Sequence, residues 1–125
     1  MRPFRVVLVD DMVALRQLIR LTLERSGRFE VVGEAGNGEE GVKVAAETTP
    51  DLILLDISMP VMDGLEALPI LRRTTPDATV VMLSGFSEDR LGAESAAGGA
   101  AAYLEKGLAP HVLVTRLLEV LQPTD

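Results

Sequence analysis

The sequence predicts an α/β domain: a parallel β-sheet with helices packed on both faces. Two observations carry this. Five short apolar runs, several of them β-branched, alternate with segments whose apolar residues recur at helical spacing, which favours βα units over hairpins. Most of these runs also stop abruptly at a chemically useful residue, namely Asp10-Asp11, Asp56, Ser84 and Lys106. In a parallel sheet such ends share one edge, where sheets of this kind hold their sites.

Arg5–Val9 is the first strand. Met12–Ser26 is a helix by the spacing of Leu15, Leu18, Ile19, Thr22 and Leu23, with Gly27 placed to cap its end. Phe29–Ala35 is the second strand, and Gly36-Asn37-Gly38 a turn. Gly38–Thr48 is the next helix, closed off by Pro50, and Leu52–Asp56 the third strand. A loop around Pro60 leads to a helix over Leu65–Thr75, whose first turns Pro69 should disturb. Thr79–Ser84 is the fourth strand. Ser87-Glu88-Asp89 opens a fourth helix, since serine caps and acids suit the dipole. That helix is weak, because Gly92, Gly98 and Gly99 interrupt its alanines, and it reads either as a poorly packed surface element or as one able to shift. Ala101–Glu105 is the fifth strand and Pro110–Leu121 the last helix, with proline at its opening. Pro123-Thr124-Asp125 reads as a frayed end.

The 125 residues suffice for one domain with a core and not for two, so residues 1–125 are expected to form a single domain without an output domain. The chain is 47% hydrophobic but only 3% aromatic, so the core must be aliphatic. No run is long enough to cross a membrane, no signal peptide opens the chain, and there is no cysteine for a disulfide or thiolate site. A cytoplasmic location without membrane association is the expectation. The net charge of −7 argues against direct nucleic-acid binding. The charge is uneven, with six arginines against three acids in residues 1–28. This is either a solvated helix face or a docking surface for an acidic partner.

A carboxylate at the end of an apolar run is costly to bury without a partner. If the first, third and fifth runs are neighbours, Asp10, Asp11 and Asp56 converge with Lys106. Clustered acids repel, and a hard divalent cation with oxygen ligands relieves that repulsion. The pattern points to a Mg²⁺ site around a carboxylate, Asp56, that can accept a phosphoryl group.

The segments Val9-Asp10-Asp11, Leu54-Leu55-Asp56-Ile57-Ser58-Met59-Pro60-Val61-Met62-Asp63-Gly64, Met82-Leu83-Ser84-Gly85 and Tyr103-Leu104-Glu105-Lys106 come in this order at strand ends. With them the chain resembles a response-regulator receiver domain of two-component signal transduction, over nearly its whole length. The resemblance implies a flavodoxin-like (βα)5 fold with strand order 2-1-3-4-5. It implies Asp56 as phosphoacceptor from a phosphohistidine donor, Asp11 as a direct Mg²⁺ ligand, Asp10 acting mainly through water, and the Ser58 backbone carbonyl completing the protein ligands. Lys106 would pair with Asp56 and then with the phosphoryl oxygens. Ser84 would move to bond the phosphoryl group, and Tyr103 would swing inward in response. A histidine kinase or histidine phosphotransfer protein would dock near the first helix and the Asp56 loops. The fourth helix, fifth strand and fifth helix would face an output domain, a downstream protein or a second phosphorylated copy. Such a domain is a switch rather than an enzyme, promoting only its own phosphorylation and dephosphorylation.

Gly107 stands where the family often has a proline in cis linkage, which disfavours a cis bond there. Serine replaces the commoner threonine at Ser84. Phe86 and Ser58 occupy positions that tune phosphoryl lifetime in the family, and the bulk of Phe86 is expected to slow hydrolysis. Two other readings fit less well. Gly36-Asn37-Gly38-Glu39-Glu40-Gly41 matches a dinucleotide fingerprint, but Glu39 and Glu40 would face the pyrophosphate. An aspartyl-phosphate phosphohydrolase similar to the haloacid dehalogenases would need a second aspartate two residues after the nucleophile, where Ser58 stands.

Overall fold

In the computed structural model, which describes residues 2–122, strand and helix alternate throughout. The order is β1 (Phe4–Val9), α1 (Val13–Arg25), β2 (Phe29–Ala35), α2 (Gly38–Thr48), β3 (Leu52–Leu55), α3 (Gly64–Thr74), β4 (Thr79–Ser84), α4 (Glu88–Ala97), β5 (Ala102–Glu105) and α5 (Pro110–Leu121). The strands form one parallel sheet in the order β2-β1-β3-β4-β5. This is the doubly wound flavodoxin-like arrangement the resemblance implies. The expected frayed end at 123–125 lies outside the described residues.

The alternation of side chains along each strand splits the core into two layers. Val7, Val9, Ile53, Leu55, Val80 and Met82 face α2, α3 and α4, where Ala45, Leu68 and Leu71 meet them. Val6, Leu8, Leu52, Leu54, Val81 and Leu83 face α1 and α5, against Ile19, Leu23, Leu113 and Leu117. The central strand β3 is covered on both faces, which is why Leu52-Ile53-Leu54-Leu55 is an unbroken apolar run. The chain turns from one side of β1 to the other between β2 and β3, so the crevice for a site opens at the C-terminal ends of β1 and β3.

The helices depart from expectation in instructive ways. Helix α3 runs through Pro69 because that residue is exposed, so the ring projects to solvent and the helix forfeits one backbone bond. On α1 only Ile19 and Leu23 are buried, while Leu18 is 57% exposed, so the packed stripe is narrower than the sequence spacing suggests. Ser87 precedes α4 but makes no side-chain cap; the Glu105 carboxylate of β5 accepts from the Glu88 N–H instead, at 3.2 Å. A tertiary neighbour thus does the capping. Helix α4 is held by little else, with Ser95 its one buried residue.

Candidate functional site

Strand register assembles the site. Val9 pairs with Leu55, and the Asp56 N–H donates to the Val9 carbonyl at 2.9 Å, so the next residues of β1 and β3 emerge side by side. Asp10 and Asp56 are each only 4% exposed, whereas Asp11 faces solvent. One carboxylate oxygen from each of Asp10, Asp11 and Asp56 lies within 4.8 Å of the others. At the other side Ser84 pairs with Glu105, and the Lys106 N–H donates to the Ser84 carbonyl at 2.7 Å. This directs Lys106 back across β4. Its Nζ lies 3.0 Å from Asp10 Oδ2 and 3.3 Å from Asp56 Oδ1.

Burial and the neighbouring Asp10 carboxylate push the Asp56 carboxyl up to about 6, against the opposing pull of Lys106. Burial favours the neutral form of Lys106, but its hydrogen bond to Asp10 and the charge of Asp56 outweigh this and hold its ammonium above the ordinary lysine value. One ammonium therefore does not neutralise three acids. The donor set is all oxygen, part of it open to solvent at Asp11, which fits a hard divalent cation and not a soft one.

The loop after β3 is built around close backbone approach. A Cβ on Gly64 would lie 2.1 Å from the Asp56 carbonyl oxygen, and the Gly64 N–H donates to the Ile57 carbonyl at 2.8 Å. Only glycine permits α3 to start there. Asp63 and Glu66 form a reciprocal capping box over that start. Gly38 and Gly41, which made the nominal dinucleotide fingerprint, serve packing: their Cβ positions would fall 2.7 Å from the Met62 carbonyl and 2.9 Å from Val9.

Beyond β4, the buried Ser84 accepts from the Phe86 N–H at 3.1 Å through its hydroxyl oxygen. The Tyr103 ring is inward, 6% exposed, with its hydroxyl donating to the Phe86 carbonyl at 2.8 Å. Asp11, Asp56, Ser58, Ser84, Phe86 and Lys106 line one open cleft of about 450 Å³. All the expected site residues but Tyr103 are thus at the cleft or, like Asp10, at its floor, and Tyr103 reaches it through Phe86.

Residues 6–118 match the response regulator receiver domain. The chain belongs to this family. The receiver is 42% identical over 115 residues to the response regulator UvrY of Escherichia coli, covering 92% of this chain and 53% of that protein. It therefore spans about half the length of the curated relatives it matches. Among solved structures it superposes on a NarL signal receiver domain from Mycobacterium tuberculosis with a TM-score of 0.92, at 29% identity over 99% of this chain and 100% of that one. It also matches a chain of the CheX–CheY–BeF3–Mg²⁺ complex from Borrelia burgdorferi with a TM-score of 0.88, at 29% identity over 94% and 89% of the two chains.

The peptide bonds described in the receiver are all trans, and Gly107 takes a φ of +100°, a conformation glycine alone adopts freely. No helix among the described residues is long and apolar enough to cross a membrane. A shallow groove of about 550 Å³ lies between α1 and α5, lined by Leu18, Leu21, Pro110 and Val114 and without a carboxylate. Sequence reasoning missed two residues near the site, Arg16 and Glu105. Each bonds a backbone group outside its own helix or strand, Arg16 the Asp10 carbonyl and Glu105 the Glu88 N–H, which no residue pattern announces.

Proposed function

We propose that this receiver is a phosphoacceptor switch in which Asp56 takes a phosphoryl group from a phosphohistidine donor. The observation that carries this is the position of Lys106 between Asp10 and Asp56, on the rim of a cleft whose remaining walls offer a carboxylate, a hydroxyl and an open mouth. The P–N bond of the donor breaks as an Asp56 oxygen forms the new P–O bond, and the imidazole leaves with the electron pair. Phosphoryl transfer needs alignment and charge neutralisation more than further covalent groups. Asp11 and the Ser58 carbonyl would hold Mg²⁺ directly and Asp10 through water; the ion supplies positive charge to the phosphoryl oxygens. Lys106 supplies a second cation and Ser84 a hydroxyl donor. The BeF3 and Mg²⁺ named for the Borrelia burgdorferi complex support this assignment by similarity.

The aspartyl phosphate adds roughly −1.5 to −2 charge, by analogy with other phosphorylated side chains. Ser84 is drawn to it, and the loop reaching Phe86 and Tyr103 rearranges, altering the α4–β5–α5 face. The domain promotes its own phosphorylation and dephosphorylation and turns over no separate substrate. A histidine kinase or phosphotransfer protein docks beside α1, where Met12 at the cleft and Val13, Leu18 and Leu21 along the helix expose apolar surface. The switched face acts on an output domain, a downstream protein or a second copy, in the cytoplasm, and residues 1–125 serve as one receiver unit.

The test is intact mass after incubation with acetyl phosphate, with and without Mg²⁺, and with Asp56→Asn as control. A single Mg²⁺-dependent phosphoryl adduct, absent in the variant, is expected. An adduct that persists in the variant would place the acceptor elsewhere.

A further inference from the structure

We propose that Arg16 is a positioning residue for the divalent-cation site: its guanidinium clamps the Asp10–Asp11 peptide and so sets the direction of the Asp11 carboxylate. This rests on the Mg²⁺ reading above.

Every polar atom of Asp10 is held. Its N–H donates to the Ala35 carbonyl at 3.0 Å, Oδ1 accepts from the Met12 N–H at 2.9 Å, and Oδ2 accepts from Lys106 at 3.0 Å. The remaining atom, the carbonyl oxygen, accepts from Arg16 Nη1. That carbonyl belongs to the peptide whose other half is the Asp11 N–H. A planar peptide fixed at its oxygen fixes its nitrogen too, and thereby the start of the Asp11 side chain. The peptide that follows Asp11 is held more loosely, by the Met12 N–H bond to a rotatable carboxylate oxygen of Asp10, and α1 begins only at Val13 with no side-chain cap from Met12.

Arg16 is itself braced. Its Nε donates to Glu34 Oε1 at 3.0 Å, and Glu34 Oε2 accepts from Arg20 Nη1 at 2.8 Å. Glu34 lies on β2, one residue before Ala35, so the same strand end holds Asp10 from both sides. The side chains of Arg16 and Glu34 are 16% and 27% exposed, more enclosed than the ordinary surface pair. The rigid planar fork holds the carbonyl on Nη1 and the carboxylate on Nε, two separated donors whose spacing the single nitrogen of a lysine does not reproduce. Glu34 also offsets the guanidinium charge, which would otherwise oppose a dication.

Positioning and bare electrostatics predict opposite signs. Removing a cation near a dication site tightens binding if charge alone acts; loss of an outer partner that orients a ligand weakens it by about 10- to 100-fold. The experiment is a MgCl₂ titration of the whole chain followed by ¹H–¹⁵N NMR at the Asp11 and Asp56 amides, for wild type, Arg16→Met and Arg16→Lys, each checked for folding by its thermal melt. Both variants are expected to bind Mg²⁺ about 10-fold more weakly. The lysine variant keeps the charge, so its loss isolates geometry, and it carries the test if the methionine variant fails to fold. Wild-type affinity in Arg16→Lys, or tighter binding in Arg16→Met, overturns the proposal. Absence of Mg²⁺ binding by the wild type would instead overturn the metal reading itself, and this proposal with it.

Discussion

The Tyr103 hydroxyl donates to the Phe86 carbonyl across the gap between β5 and the loop that follows β4. The donor lies on a strand, and the acceptor two residues after Ser84, whose hydroxyl oxygen takes the N–H of the same Phe86. Both backbone groups of Phe86 are therefore tied to the proposed switch residues. Replacing Tyr103 by phenylalanine keeps the buried ring and removes only the donor. The expected result is a loss of about 1 kcal/mol in chemical unfolding and faster amide exchange confined to residues 84–88. Unchanged exchange there would mean the bond does not restrain the loop.

Asp56→Asn is expected to stabilise the metal-free protein in a pH-dependent way. The Asp56 carboxyl sits at about 6 in the fold against an ordinary value of 3.8, so the folded state binds a proton that the unfolded chain releases. Asp56 thus favours folding below about pH 4, and that contribution is lost as pH rises through about 6. The full shift corresponds to about 3 kcal/mol, reduced to about 1–2 because Lys106 loses one of its two partners. Thermal melts without Mg²⁺ should show the variant ahead at pH 7.5 and level with wild type near pH 4. A gain of equal size at both pH values would assign it to something other than Asp56 ionisation.

Gly64→Ala should damage fold and site together. An added methyl would stand 2.1 Å from the Asp56 carbonyl oxygen, a backbone atom that cannot rotate away. A cost of about 1–3 kcal/mol is expected, with the acetyl phosphate reaction slowed because the residue displaced is the proposed acceptor. A variant with wild-type melting and wild-type phosphorylation would show that the loop yields without strain.

Phe86→Ala should shorten the life of the aspartyl phosphate. Phe86 is half-buried at the cleft wall, and the Arg90 guanidinium lies 5.1 Å from its ring centre. Truncation opens the mouth to water, so the dephosphorylation rate measured by loss of the phosphoryl adduct should rise. A rate equal to wild type would remove Phe86 as a gate.

The sequence was legible where a strand ends in a residue that burial alone would not select. Asp10, Asp56, Ser84 and Lys106 stop apolar runs, and parallel register then delivers them to one edge without further information. Local signals were weaker wherever a distant group intervenes. Ser87 has the form of a cap, yet Glu105 performs that task from another strand. Pro69 has the form of a helix breaker, yet its exposure on α3 makes it tolerable. Arg16 looked like one of six arginines on a basic segment, because a bond to a backbone carbonyl has no residue-type signature. The inward Tyr103 depends on where the Phe86 carbonyl points, which only the assembled loop decides.

The strand order carries one more consequence, for the chain as it is made. Lys106 follows the edge strand β5, the last to be synthesised, while the acids it bridges follow β1 and β3. A nascent chain emerging from a ribosome holds its carboxylates with no ammonium between them until β5 docks beside β4. The sheet's last strand completes the charge balance of the centre, so a half-made receiver lacks the cation on which the proposed phosphoryl transfer relies.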